Sequence, residues 1–135
     1  MPLKKNAILI AEDDPILREA YMRRFALTDF VVSIAENGEQ AAEMIRRQTP
    51  DLLICDIKMP VRDGMWVLEQ FPKKSRNFSV IMLTNLGDEG TREKCKKLGT
   101  DDFFVKKDMS LHTLVEMAQR LLQETPGRPN KGKKR

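Results

Sequence analysis

Four apolar runs of strand length in this sequence end on residues with chemistry to offer. Ala7-Ile8-Leu9-Ile10-Ala11 runs into Glu12 and Asp13, Leu52-Leu53-Ile54-Cys55 into Asp56, Val80-Ile81-Met82-Leu83 into Thr84, and Phe103-Phe104-Val105 into Lys106. Any one of these has an ordinary explanation as a cap, a turn carboxylate, a β-favouring threonine or a solvated lysine. Together they read differently. Three carboxylates gathered at one place repel, and without a cation at least one must have its pKa raised. A divalent cation relieves that repulsion, and an all-oxygen ligand set suits Mg²⁺, held at roughly 2.0–2.1 Å. No His or Cys joins the set, which argues against zinc. A lysine ammonium and a threonine hydroxyl are what phosphoryl oxygens require, a point charge and a donor. The combination suits attack of a carboxylate on phosphorus with metal assistance.

That chemistry needs all four run ends at one edge, which a parallel sheet provides. Strands of such a sheet finish on the same side, and ligands of open α/β folds bind in the crevice outside those carboxyl ends. The spacing supports it: helix-length segments separate the runs regularly, and Phe30-Val31-Val32-Ser33-Ile34-Ala35 adds a fifth. Asp14 and Pro15 are a helix start, cap and first residue, and Ile16, Leu17, Ala20, Tyr21 and Phe25 form the stripe expected to pack on the sheet. Asn37 caps the next helix with Gln40 reaching back, and Ala41, Ala42 and Ile45 are its buried face. Pro60 and Gly64 force a loop after Asp56, and Met65 to Phe71 forms a short helix in which Trp66 is a packing residue. The segment from Asp88 to Leu98 closes at Gly99 and has little apolar surface beyond Cys95 and Leu98, so it is expected to be loosely held. The last helix, capped by Ser110, carries Leu111, Leu114, Val115, Ala118, Leu121 and Leu122 on one face, with His112 off it.

With 135 residues the chain suits one domain, expected over residues 1–124. The net charge of +4 is misleading. Five positive charges and no acid lie in Pro126–Arg135, leaving 19 basic against 20 acidic residues elsewhere. The body of the chain is therefore no basic binding surface, and residues 125–135 read as a disordered basic tail that serves solubility. Cys55 and Cys95 have neither metal-ligand nor disulfide spacing. No stretch approaches a membrane span and the first residues lack the core of a signal peptide, so a cytoplasmic location is expected.

The set Glu12-Asp13, Asp56 with Met59-Pro60 and Asp63-Gly64, Thr84, and Lys106 after Phe103 resembles the response-regulator receiver domain of two-component signalling, over Lys5 to about Gln123. The resemblance implies a flavodoxin-like, doubly wound α/β fold with five helices and a five-stranded parallel sheet in the order 2-1-3-4-5, the order of the chemotaxis regulator. It implies that Asp56 is the phosphoacceptor, that Glu12, Asp13, Asp56 and the Lys58 backbone carbonyl hold Mg²⁺, that Lys106 is the phosphate partner, and that Thr84 and Phe103 are the switch pair. Lys58, Asn85 and Leu86 occupy positions that tune dephosphorylation, and with Leu86 unable to orient water a long-lived phosphoryl group is expected. The donor would be a histidine kinase or phosphotransfer protein, with an unnamed partner reading the face around helix 4, strand 5 and helix 5, a face that would also serve a phosphorylation-dependent dimer. The chain departs from the family pattern in carrying Lys107 where Pro usually follows the lysine, Asn85 where a small residue follows the threonine, and Phe103 for the frequent Tyr. Without Pro, a cis bond after Lys106 costs roughly 2.5–4 kcal/mol, so a trans bond is expected.

No output domain follows the last helix, so a stand-alone phosphoacceptor with no DNA-binding domain and no membrane association is expected. It would be no enzyme beyond its own phosphoryl acceptance and slow self-dephosphorylation. A pseudo-receiver acting as a constitutive interaction module would lose the acceptor, an acid or the lysine, and all are retained. An aspartyl-nucleophile phosphatase needs a second Asp two positions after the first, where Lys58 stands. A flavin carrier needs a phosphate loop after the first strand, which is missing.

Overall fold

The computed structural model describes residues 5–85, 89–108 and 110–123. Within them, strands β1 (Ala7–Ala11), β2 (Val31–Ala35), β3 (Leu52–Asp56), β4 (Ser79–Thr84) and β5 (Asp102–Val105) alternate with helices α1 (Pro15–Phe25), α2 (Gly38–Arg47), α3 (Gly64–Gln70), α4 (Glu89–Lys97) and α5 (Leu111–Gln123). All pairings are parallel, in the order β2-β1-β3-β4-β5. This is the flavodoxin-like doubly wound order expected.

The two-residue period of the strands divides the core into two layers. Leu9, Leu53, Cys55, Val80 and Met82 face one side and meet Ala41, Ile45, Val67, Leu68 and Cys95 of α2, α3 and α4. Ile8, Ile10, Leu52, Ile54, Ile81 and Leu83 face the other and meet Tyr21, Phe25, Leu114, Ala118 and Leu122 of α1 and α5. β3 is buried throughout because it has neighbours on both edges and both faces. Register is fixed at the strand starts by two aspartates. Asp51 Oδ2 accepts from Ala7 N and Asp101 Oδ2 from Val80 N, each at 2.7 Å, so amides at the opening ends of β1 and β4 are satisfied.

Helix starts follow from short polar side chains. Asp14, Asn37, Asp63 and Ser110 each accept from an amide in the first turn of the helix that follows. Gln40 reaches back as expected, but to the Glu36 amide, one residue before the cap. Ile16 departs from the expected stripe and is 78% exposed. Each residue turns a helix by about 100°, so once Leu17, Tyr21 and Phe25 face the sheet, Ile16 faces water. Although α4 has little apolar surface, Cys95 is buried and the helix end is tied down. Gly99 takes a positive φ of 87°, and the Arg76 guanidinium donates to the carbonyls of Phe71, Leu98 and Gly99. Burial lowers the pKa of Arg76 from its ordinary value. Both cysteines are free thiols in the core. No helix among the described residues is long and apolar enough to cross a membrane. The basic tail expected over 125–135 and the position Leu86 lie outside the described residues.

Candidate functional site

The carboxyl ends of β1, β3 and β4 and the residue after β5 open on one cavity of about 450 Å³, lined by Glu12, Asp13, Asp14, Leu17, Asp56, Lys58, Thr84, Asn85 and Lys106. Carboxylate oxygens of Glu12, Asp13 and Asp56 lie within 4.8 Å of one another. Glu12 and Asp56 are buried and Asp13 is the outermost of the three. Thr84 is also buried, at the end of the strand beside Asp56.

Lys106 joins the cluster from the far side of the sheet. Its Nζ donates to Glu12 Oε1 at 3.0 Å and to Asp56 Oδ2 at 3.1 Å, and the three side chains are only 8%, 1% and 7% exposed. Burial pulls the lysine pKa down, but the hydrogen bonds and charges of Glu12 and Asp56 outweigh it and raise the pKa above its ordinary value. Asp56 is pushed up to about 7, first by burial and then by the charge of Glu12, with Lys106 opposing both. A second cation at this cluster would draw that carboxyl back towards ionisation. The donor set, oxygen only and partly open to solvent through Asp13, fits a hard divalent ion such as Mg²⁺.

The backbone brings Asp56 to the mouth of the cavity and holds it there. Ile57 N donates to Leu83 O at 2.9 Å and Gly64 N to Ile57 O at 2.7 Å, closing the loop after β3 against the next strand. A Cβ on Gly64 would stand 2.5 Å from Asp56 O, so only glycine permits this closure. Between them Val61 takes a positive φ of 69°, and Arg62 N donates to Pro60 O across it at 2.7 Å. For a β-branched residue that is strained backbone. No peptide bond among the described residues is cis, so the bond from Lys106 to Lys107 is trans, and Lys106 opens a 3₁₀ turn running to Asp108.

Phe103 does not line the cavity. It pairs with Met82 in register, packs half-buried against the α4 layer, and lies under Arg92, whose guanidinium carbon is 4.7 Å from the ring centre. Trp66 packs against the same layer with Arg62 stacked 4.8 Å from its ring. Two residues around the site carry more than the sequence reading gave them. Arg18, which is not part of the apolar stripe of α1, donates to the carbonyls of Glu12 and Asp13 at 3.1 and 2.9 Å and so clasps the loop that bears both acids. Tyr21, taken for a packing residue, donates its hydroxyl to Glu12 Oε1 at 3.3 Å. The signal was present, since a buried tyrosine hydroxyl needs a partner.

The model of the response regulator receiver domain family matches residues 8–119, and the chain belongs to that family. It is 36% identical over 102 residues to the Probable transcriptional regulator ycf27 of Guillardia theta, covering 76% of this chain and 40% of that protein. A crystal structure of a DNA-binding response regulator of the LuxR family from Staphylococcus aureus matches with a TM-score of 0.78 and 32% identity, over 85% of this chain and 97% of that one. A CheY-like receiver domain protein from Methanospirillum hungatei shares the fold, with a TM-score of 0.82 at 23% identity over 90% of this chain and 96% of that one.

These relatives overturn one expectation. A protein without a DNA-binding domain was expected because none follows the last helix, yet the chain spans less than half the length of the first curated relatives it matches, and they are named as transcriptional regulators. The Staphylococcus aureus relative is described as DNA-binding. The error has a physical source: a receiver domain closes its own core, so nothing in its packing records what it is joined to.

Proposed function

We propose that this receiver domain is a phosphoacceptor in which Asp56 takes a phosphoryl group from a phosphohistidine on a histidine kinase or phosphotransfer protein. An Asp56 carboxylate oxygen forms the new bond to phosphorus as the donor's P–N bond breaks, and that electron pair leaves on the imidazole nitrogen. Glu12, Asp13, Asp56 and the Lys58 carbonyl are the residues that would hold Mg²⁺, which when bound neutralises charge on the attacking and transferring oxygens. Lys106 already lies within hydrogen-bond distance of the attacking carboxylate, and a small movement of its flexible stem would bring the ammonium onto the phosphoryl oxygens. The Thr84 hydroxyl, on the same cavity, is the second donor. Lys58 and Asn85 also line it and would control access of hydrolytic water.

The observation that carries this reading is the convergence of three carboxylates and one buried ammonium at the end of β3. Movement of Thr84 towards the phosphoryl group would free space along β4 for Phe103, and so change the face formed by α4, β5 and α5 that a downstream partner would read. Phosphoramidate, a small P–N donor, tests the chemistry. In the presence of Mg²⁺ the protein should gain one phosphoryl group that neutral hydroxylamine removes, as an acyl phosphate requires. A modification that survives hydroxylamine would place the phosphoryl group on another kind of side chain.

A further inference from the structure

The chain's single tyrosine occupies the innermost face of α1, in the same apolar cluster as Ile10, Ile54 and Leu83. An aliphatic side chain would fill that stripe with no hydroxyl to satisfy. Instead the Tyr21 O–H reaches Glu12 Oε1 at 3.3 Å, the same oxygen that takes Lys106 Nζ at 3.0 Å, while Asp14 N donates to Oε2 at 3.2 Å. Glu12 is wholly buried, so each donor matters. They differ in mobility. Lys106 sits on a long flexible stem, whereas the tyrosine is 1% exposed and its ring belongs to the core cluster under α1 and α5.

We propose that Tyr21 is a positioning residue of the acceptor site, a fixed donor that keeps Glu12 turned inward when Lys106 leaves it for the phosphoryl group. The inference rests on the reading of Asp56 as phosphoacceptor. Without the hydroxyl, departure of Lys106 would leave Oε1 buried with no donor, and a buried carboxylate oxygen without one is costly. Glu12 would then either hold the lysine back or swing out of the cluster. Both outcomes weaken the phosphorylated state more than the resting one, in which Lys106 still holds Glu12.

Beryllofluoride, a phosphoryl mimic that binds a carboxylate oxygen together with Mg²⁺, gives a readout independent of phosphoryl transfer, followed by ¹⁹F NMR of the bound fluorides. Tyr21→Phe should need roughly three- to tenfold more beryllofluoride for half-saturation than wild type. Phe25→Leu, a substitution in the same cluster at a side chain with no polar group to offer Glu12, should lower the melting temperature without moving half-saturation. Tyr21→Phe saturating at the wild-type concentration, or Phe25→Leu producing an equal shift, would overturn the role of the hydroxyl. Failure of the underlying reading looks different: wild type would show no bound resonance, or Asp56→Asn would bind as well as wild type.

Discussion

Lys106 Nζ lies 3.1 Å from Asp56 Oδ2, so the residue assigned to the incoming phosphoryl group is already paired with the carboxylate that would accept it. The resting site is thus only partly neutralised. Two buried carboxylates share one ammonium, and the remaining negative charge is what a divalent cation would meet. The same arrangement explains why the Asp56 pKa is raised although a lysine touches it: one cation does not offset burial and a second buried carboxylate together.

The raised Asp56 pKa makes stability depend on pH. In the folded chain the carboxyl titrates near 7 and in the unfolded chain near 3.8, so between those values the folded state binds more protons. Stability contributed by this group is therefore complete below about pH 4 and is lost as pH rises through about 7. In chelator, Asp56→Asn should gain on wild type in melting temperature between pH 5 and pH 8, by several degrees, and Mg²⁺ should close the gap by stabilising only the wild type. A constant difference across that range would refute the titration.

Removing the ammonium should hurt most where Asp56 is ionised. Lys106→Ala leaves two buried carboxylates facing each other, and loss of one partner from a buried pair costs roughly 3–5 kcal/mol when the remaining charge cannot be neutralised. At pH 5 protonation of Asp56 provides that neutralisation. Thermal melts of Lys106→Ala against wild type should show a larger deficit at pH 8 than at pH 5, and the reverse order would contradict the pairing.

Most of the fold was legible because β1, β3, β4 and β5 are built on uninterrupted apolar runs and α1, α2, α3 and α5 each start at a short polar cap. The strand ends, and with them the convergence of Glu12, Asp13, Asp56, Thr84 and Lys106, followed from the parallel arrangement. What escaped depended on rotation and reach. The outward turn of Ile16 is set by which neighbours claim the inner face of α1, and the grip of Arg18 and Tyr21 on Glu12 spans a turn or more of helix. Phe103, expected to act with Thr84 as a switch pair, stands in register with Met82 with its ring against the α4 layer beneath Arg92, a placement that residue type did not announce. Nothing in residue type alone fixes those directions.

The backbone strain at Val61 can be relieved without touching the core. The side chain is 69% exposed and its φ is 69°. Asparagine tolerates the left-handed region far better than a β-branched residue, so Val61→Asn should stabilise the domain by about 1 kcal/mol, seen as a raised midpoint in urea with an unchanged slope. A lowered midpoint would mean that the valine side chain makes a contact worth more than the strain.

The neighbouring glycine should behave oppositely. Gly64→Ala places a methyl group 2.5 Å from Asp56 O, against backbone that cannot yield freely. The expected cost is about 1–3 kcal/mol, together with slower phosphoryl acceptance because the acceptor itself is displaced. Unchanged stability and rate in this variant would show that the loop has room the described geometry denies it.

The central claim is that Asp56 accepts the phosphoryl group with help from a metal-binding acidic cluster, and intact-mass measurement tests it directly. Wild type, Asp13→Ala and Asp56→Asn are incubated with a small phosphodonor, with Mg²⁺ and with chelator. Wild type should gain one phosphoryl group in Mg²⁺ only, Asp13→Ala little, and Asp56→Asn none. Equal mass gain in Asp56→Asn, or gain in wild type that is indifferent to chelator, would contradict it.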